Sequence, residues 1–262
     1  MFRAMYTAAS GMYTQQFNMD VLANNLANVN TTGFKASRVE FQDLLYQQLR
    51  QAGSIDSLGQ QLPLGLEVGS GAKTAATQKM FSQGSGQQTN NPTDLMVNGD
   101  GFFQVSMPDG TIAYTRDGSF QVDGSGNLVT ANGYQIQPPI NIPSQATGIV
   151  VRSDGQVQIT LPQGQPNQVV GQLQLVKFVN PAGLTSNGQN LYTATDATGT
   201  PQVGTPGLDG LGTISQGFLE SSNVQVTDEM VNLIMTQRAY ESDTKVIQAG
   251  DTMLSDANQL VQ

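Results

Sequence analysis

The sequence predicts an α+β protein. Long N- and C-terminal helices form a coiled-coil-like axial domain, an antiparallel all-β domain is inserted between them, and an extended arm lies at the junction. Three observations lead there. Apolar residues recur every seven positions at both ends of the chain. Gly, Pro, Asn and β-branched residues dominate the middle. A stretch of weak periodicity, punctuated by Gly and Pro, separates the first helix from the strands. The expected boundaries are 1–45 with 222–262 for the helical domain, 46–71 for the arm and 72–221 for the β domain.

In the first helix Met5, Met12, Met19 and Leu26 fall seven apart, and Phe2, Ala9, Leu22 and Val29 thicken the stripe. A seven-residue repeat marks a supercoiled seam rather than an ordinary surface helix. The stretch "DVLANNLANVNTTGFK" sets Asn24, Asn25 and Asn28 among aliphatic residues, although Asn is a mediocre helix former. Gly33 is expected to stop this helix, and a short second helix is expected through Phe41, Leu44, Leu45 and Leu49.

The next stretch, "YQQLRQAGSIDSLGQQLPLGLEVGSGAK", is too long for a tight loop inside a compact domain. It reads as a flexible linker, or as an arm that orders against something else. Its marked residues are Tyr46, Leu49, Gly53, Leu58, Leu62, Pro63 and Leu66.

The middle reads as hairpins. "MPDGTIAYTRDGSFQVDGSGNLVTANGYQI" alternates apolar and polar residues between Asp109-Gly110, Asp117-Gly118, Asp123-Gly124 and Asn132-Gly133. "GIVVRSDGQVQITL" repeats the device at Asp154-Gly155. Asp-Gly and Asn-Gly favour two-residue type I′ turns, in which both central residues need φ > 0. "VVGQLQLVKFVN" reads as a strand buried on both faces at its end. An antiparallel barrel or sandwich follows.

In the last helix Val226, Leu233, Tyr240, Ile247, Leu254 and Val261 share one heptad position, beside Ala239, Val246, Met253 and Leu260. Thr227 or Asp228 can cap its start, with Glu229 in support. About 35 residues at 1.5 Å rise make a rod of roughly 50 Å. Two terminal helices packed into an ordinary core are the alternative. The heptads at both ends favour an antiparallel coiled coil of the termini. Both seams are only moderately apolar, so the helices need partners to become stable.

Composition narrows the function. A net charge of −9 makes nucleic acid an unsuitable partner, since phosphate binding needs a basic surface. The charged fraction, 12%, is about half the usual share. Neutral polar surface of this kind can be buried against copies of itself without desolvating many ions. With no Cys and no His, the chain has no zinc site of the usual type, no Cys nucleophile and no His base. Asp109, Asp117, Asp123 and Asp154 read as turn residues rather than catalytic carboxylates. A calcium loop over 117–123 lacks the ligand alternation and the terminal Glu. "GSGAK" and "GSGNL" do not open helices, as a phosphate cradle requires. No catalytic residue, metal site or cofactor is expected. "MFRAMYTAASGMYTQQF" has no continuous apolar segment, so no cleaved secretory signal is expected. No run of about 18 apolar residues suggests a membrane span.

Four segments then resemble a known family. "NMDVLANNLANVNTTGFKASRVEFQDLLYQ" resembles the N-terminal signature of the rod and hook proteins of the bacterial flagellum. "QTNNPTDLMVNGDGFFQV" and "AYTRDGSFQVDGSGNLVTANGYQIQ" resemble the motifs that open their β domain. "GFLESSNVQVTDEMVNLIMTQRAYESDTKVIQAGDTML" is similar to their C-terminal signature. Within that family, the length and the "LPLGLEVGSG" end of residues 46–71 resemble the distal-rod members. Those members usually show Gln-Pro-Gly where this chain has Gln51-Ala52-Gly53.

The resemblance implies a structural subunit, not an enzyme. Such a subunit polymerises helically with itself into the distal rod, transmits torque from motor to hook and encloses the export channel. A hook or proximal rod subunit is the alternative. The implied partners are the proximal rod protein, the hook protein, a rod cap, the P- and L-ring proteins, and the flagellar type III export apparatus. The implied location is the periplasm-spanning rod of the basal body. On this reading Met5, Met12, Met19, Leu22, Leu26 and Val29, with the heptad from Val226 to Val261, form subunit interfaces. Asn24, Asn25 and Asn28 are then polar packing or channel-facing residues, and residues 46–71 are an arm that stiffens the rod. A secreted β-rich adhesin or carbohydrate-binding module would need an exposed aromatic platform, yet the chain has no Trp.

Overall fold

The computed structural model describes residues 2–53, 63–162 and 167–260. Leu58 and Leu62 of the expected arm, and Val261 of the last heptad, lie outside the described residues. The fold is α+β: a helix toward each end of the chain and antiparallel strands between. The chain divides into two compact units, one drawn from 1–26, 37–78 and 225–262, the other from 27–36 and 79–224.

The first unit holds helix α1 (Phe2–Ala27), strands β1 (Ser37–Asp43), β2 (Tyr46–Arg50), β3 (Leu66–Gly69) and β4 (Ala72–Lys79), and helix α2 (Val226–Leu260). β1 pairs with β4, and β2 pairs with β3. The expected helix through Phe41, Leu44, Leu45 and Leu49 is replaced by β1 and β2. Its apolar spacing suits a helix, but nothing packs on that stripe: Phe41, Leu45 and Leu49 are all exposed. Pairing then decides, and Val39, the one buried residue of β1, is β-branched. α2 runs for 35 residues, with Asp228 and Glu229 in its first turn, where carboxylates favour the helix dipole.

α1 ends at Ala27, six residues before the expected stop at Gly33. Gly33 instead lies in the second unit with φ +67, and its N–H donates to the Glu220 carbonyl at 2.8 Å. A Cβ there would come within 2.6 Å of the Asp117 nitrogen, so the close backbone approach demands glycine.

The second unit is all-β. In chain order its strands are β5 (Gly86–Gln88), β6 (Leu95–Asn98), β7 (Phe102–Ser106), β8 (Ile112–Thr115), β9 (Phe120–Val122), β10 (Leu128–Thr130), β11 (Gln135–Gln137) and β12 (Gly148–Val151). Then come β13 (Gln156–Thr160), β14 (Gln168–Gln172), β15 (Leu175–Lys177), β16 (Thr185–Gly188), β17 (Leu191–Thr193), β18 (Gln202–Gly204), β19 (Thr213–Gln216) and β20 (Phe218–Glu220). A nine-stranded sheet follows the order β16-β17-β8-β7-β11-β10-β9, and β15 joins β7 to β18. β12, β13 and β14 form a second sheet, while β6 pairs with β19 and β5 with β20.

The central strands are buried on both faces. Phe103 and Leu175 enter a large aliphatic core with Leu95, Ile136, Ile140 and Leu173. Their chain neighbours Phe102 and Val176 enter a second core with Tyr114, Phe178 and Tyr192. The rings there meet edge to face, Tyr114 and Phe178 at 4.8 Å between centroids.

The hairpin turns differ from the two-residue form. Four of them share a three-residue loop ending in glycine. Met107 N–H donates to the Thr111 carbonyl and Gly110 N–H to the Met107 carbonyl, both at 2.9 Å. The same pair of bonds closes the loops ending in Gly126, Gly133 and Gly155. Only the glycine is left-handed, with φ of 80, 88, 83 and 83 in the four loops. This is a turn followed by a one-residue bulge. Its Asp or Asn sits at negative φ and need not bear left-handed strain. Asp117-Gly118 is not a hairpin at all, since β8 pairs with β7 and β17 while β9 pairs with β10.

Candidate assembly surfaces

The first unit keeps much of its apolar surface in solvent. Tyr6, Tyr13 and Phe17 are exposed on α1, and Met230, Val231, Ile234, Met235, Val246 and Met253 on α2. Tyr13 is 67% exposed and Met235 64%. Large apolar side chains left in solvent in this number are candidates for an interaction surface. The predicted heptad residues behave differently. Leu22 is buried, while Met5, Met12, Met19 and Leu26 are half-buried. On α2, Leu233, Tyr240, Ile247 and Leu254 are half-buried, and Val226 is exposed.

The polar contacts between α1 and α2 bring in residues the heptad did not mark, among them Asn18, Glu229, Thr236 and Thr244. Asn18 Nδ2 donates to Thr236 Oγ1 at 3.1 Å, and Asn25 Nδ2 to Glu229 Oε1 at 3.4 Å. Thr244 Oγ1 lies 3.4 Å from Met12 Sδ. Contacts early in α1 thus pair with contacts late in α2, as in an antiparallel arrangement.

Asn25 is buried, and its amide is occupied within the subunit. It donates to the Ser37 carbonyl at 2.8 Å and accepts from Ser37 N–H at 2.9 Å. Asn24 is exposed, and Asn28, in the second unit, accepts from Thr31 Oγ1 at 3.2 Å. Burial pushes the Glu229 carboxyl above its usual range, opposed by the bond from Asn25.

The expected arm begins and ends as the β2–β3 ribbon, with Tyr46 opposite Gly69 and Gln48 opposite Glu67. Tyr46, Leu49, Pro63 and Leu66 are exposed, and Gly53 turns at φ +84. Leu45 beside them is 89% exposed and Leu64 74%.

In the second unit, three chain passages are tied by a buried charge cluster. Lys35, fully buried, donates to Glu220 Oε1 at 2.5 Å and to the Ser82 carbonyl at 2.7 Å. Glu220 Oε1 also accepts from Gly84 N–H at 2.9 Å. Arg116 Nη1 approaches Glu220 Oε2 at 3.6 Å, and its Nη2 donates to the Gly99 carbonyl at 2.7 Å. Asn223 completes the tie: it accepts from Ala36 N–H and donates to the Met80 carbonyl, both at 2.8 Å. Desolvation lowers the pKa of Lys35 and of Arg116, and the Glu220 charge opposes it in each. Tyr192 is pushed up to about 12, first by burial and then by Glu220. Sequence reasoning missed this cluster. Lys35 and Glu220 stand 185 residues apart, and no local pattern joins them.

Among the described residues no group of His, Cys, Asp or Glu could hold a metal ion, and no helix is long and apolar enough to cross a membrane. The carboxylates of the hairpins serve their own turns: Asp109 accepts from Thr111, and Asp123 from Ser125 and Asn127. Those bonds hold both carboxyls below their usual range.

A folded β unit joined to terminal helices with exposed apolar faces defines a subunit built for assembly. Comparison with known proteins gives the particular family. Residues 5–35 match the model for flagella basal body rod proteins, 96–159 the flagellar hook protein FlgE/F/G D1 domain, and 215–260 the flagellar basal body rod FlgEFG C-terminal domain. A flagellar basal-body rod protein FlgG of Buchnera aphidicola (from Schizaphis graminum) is 50% identical over 99% of this chain and 100% of its own length. That of Borreliella burgdorferi is 47% identical over 99% of each chain, and that of Bacillus subtilis 38% over 98% of each. The chain belongs to the FlgG family of flagellar basal-body rod proteins. It is a structural subunit of the distal rod, not an enzyme.

Proposed function

We propose that α1 and α2 form a coiled-coil-like axial domain through the heptads Met5, Met12, Met19, Leu22, Leu26, Val29 and Val226 to Val261. On this reading it is the subunit's polymerising element. The exposed apolar residues of α1 and α2 carry the proposal. They are the surface that neighbouring copies cover, and a heterologous contact that does not close into a ring propagates as a filament. The division 1–45 with 222–262, 46–71 and 72–221 is the functional one, with residues 72–221 facing outward.

Torque transmission needs stiffness, and stiffness needs many contacts per subunit. Residues 46–71 supply them as an extended arm on neighbouring subunits, which the exposed Leu45, Tyr46, Leu49, Leu64 and Leu66 support. The rod's neighbours are the proximal rod protein, the hook protein and a rod cap during growth, with the P and L rings around it. Subunits reach the growing end unfolded through the type III export apparatus, without a cleaved signal. Asn24 is a candidate for the channel side.

Deleting residues 47–66 tests the arm. The expected product is a polymer that assembles but bends under electron microscopy. Deletion rods as straight and stiff as the parent overturn the assignment.

A further inference from the structure

The apolar heptad alone does not say how far α1 slides along α2. Met5, Met12, Met19 and Leu26 on α1 and Leu233, Tyr240, Ile247 and Leu254 on α2 each repeat every seven residues, so a slip of seven exchanges like for like. Met is also an adaptable side chain that specifies geometry poorly.

The neighbouring heptad positions are unlike one another. On α1 they are Gly11, Asn18 and Asn25; on α2 they are Glu229, Thr236, Asp243 and Gly250. Asn25 bonds Glu229 and Asn18 bonds Thr236. At Gly11 an added Cβ would lie 2.6 Å from Asp243 Oδ2, and at Gly250 it would lie 3.1 Å from Met5 Cγ. Successive rungs step seven residues at a time along α2 from Glu229 to Gly250, and seven, seven and six residues back along α1 from Asn25 to Met5. Two rungs are hydrogen bonds, and two are a side chain seated over a glycine.

We infer that these four rungs fix the register of α1 on α2, and that Asn18, Asn25, Glu229, Thr236 and Asp243 are positioning residues for polymerisation. The inference rests on the proposed helix seam. A slip of one heptad in one direction puts Asp243 against Asn18 and leaves Glu229 facing no residue of α1. A slip in the other direction puts Asp243 against Ala4 and takes Asn25 from its partner. In the first slip Glu229 loses its partner, in the second Asn25 and Thr236 lose theirs, and such groups are costly when buried unpaired. A polar residue at a seam position sets register in the same manner in coiled coils. The rungs also explain Gly11 and Gly250, which disfavour helix by about 1 kcal/mol each relative to Ala.

The chain contains no Cys, so engineered pairs report cleanly. In the full chain at assembling concentration, Met12→Cys is combined with Thr244→Cys, the contact seen here, or with Gln237→Cys or Asp251→Cys, one heptad away on either side. Cross-links that migrate as monomer are scored. The parent should favour the Thr244 pair at least about tenfold, the ratio that about 1.4 kcal/mol of rung energy sustains. The variant Asn18→Leu/Glu229→Leu/Thr236→Leu/Asp243→Ala should bring the three pairs to within about threefold. Exchanging one rung, Asn18→Thr with Thr236→Asn, should keep the parent's preference. If the multiple variant cross-links nowhere, Asn18→Leu/Thr236→Leu decides, and a reduced preference is expected. Unchanged preference in every leucine variant overturns the inference and leaves the seam intact. Absence of all three monomer cross-links in the parent overturns the seam itself.

Discussion

Lys35→Met removes the ammonium from the buried cluster and keeps most of its apolar stem. Glu220 is then left fully buried, with Gly84 N–H at 2.9 Å and the Arg116 guanidinium at 3.6 Å. Breaking a buried ion pair by removing one partner costs about 3–5 kcal/mol. Arg116 still faces the carboxylate, so Lys35→Met belongs near the lower end, about 3 kcal/mol. Glu220→Ala strands two buried cations and belongs near the upper end, about 5 kcal/mol. In a unit of about 150 residues each kcal/mol lowers Tm by about 2–4 °C. The expected shifts are therefore about 6–12 °C for Lys35→Met and about 10–20 °C for Glu220→Ala. Scanning calorimetry on the full chain reads them. Lys35→Met/Glu220→Leu removes both charges of the pair and should cost less than the sum of the single changes. A shift under about 2 °C for Lys35→Met would refute the clamp, because a cost that small belongs to exposed ion pairs.

Leu233→Asp or Ile247→Asp should abolish polymerisation while the β unit's melting transition stays in place; normal filaments in electron micrographs would remove these residues from the interface. In dilute monomer the amides of α1 and α2 should exchange much faster than those of β7 and β8, because seams this polar do not sustain isolated helices; equal protection by mass spectrometry would mean the helices stand alone. The raised Glu229 pKa makes its contribution fullest below the ordinary value of 4.5, and lost as pH rises through the raised folded value. Glu229→Gln should flatten that pH dependence of the α-helical circular dichroism signal, and an unchanged slope would assign it elsewhere.

The elements were largely legible from local pattern. Heptads at Met5–Leu26 and Leu233–Leu254 mark the helices, and Gly110, Gly133 and Gly155 mark three of the hairpins. The errors are those of local reading. Phe41, Leu44, Leu45 and Leu49 have helical spacing, but a spacing says nothing about whether a surface exists to cover it. Asp109-Gly110, Asn132-Gly133 and Asp154-Gly155 mark true turns with the wrong geometry, since one glycine satisfies a bulged loop as well as a two-residue one, and Asp117-Gly118 marks no hairpin. The assembly surfaces were half visible. The apolar repeat is legible on each helix by itself, but Asn18, Thr236 and Asp243 stand out only once both helices are placed against each other. The Lys35–Glu220 contact spans 185 residues and had no sequence signal.

Gly33, Gly84 and Ala36 all bond within residues 220–223. The chain therefore leaves for residues 85–219 and returns from them at one point. A segment with that property behaves as a cassette. Its ends are joined by main-chain and buried side-chain bonds, to which Arg116 adds its contact with Glu220 from within the segment. Replacing it with a smaller or larger β module that preserves Lys35, Gly84, Glu220 and Asn223, and sets a cation where Arg116 stands, would change the size of the unit while keeping that closure. The size of the segment can then change without any change to α1 or α2.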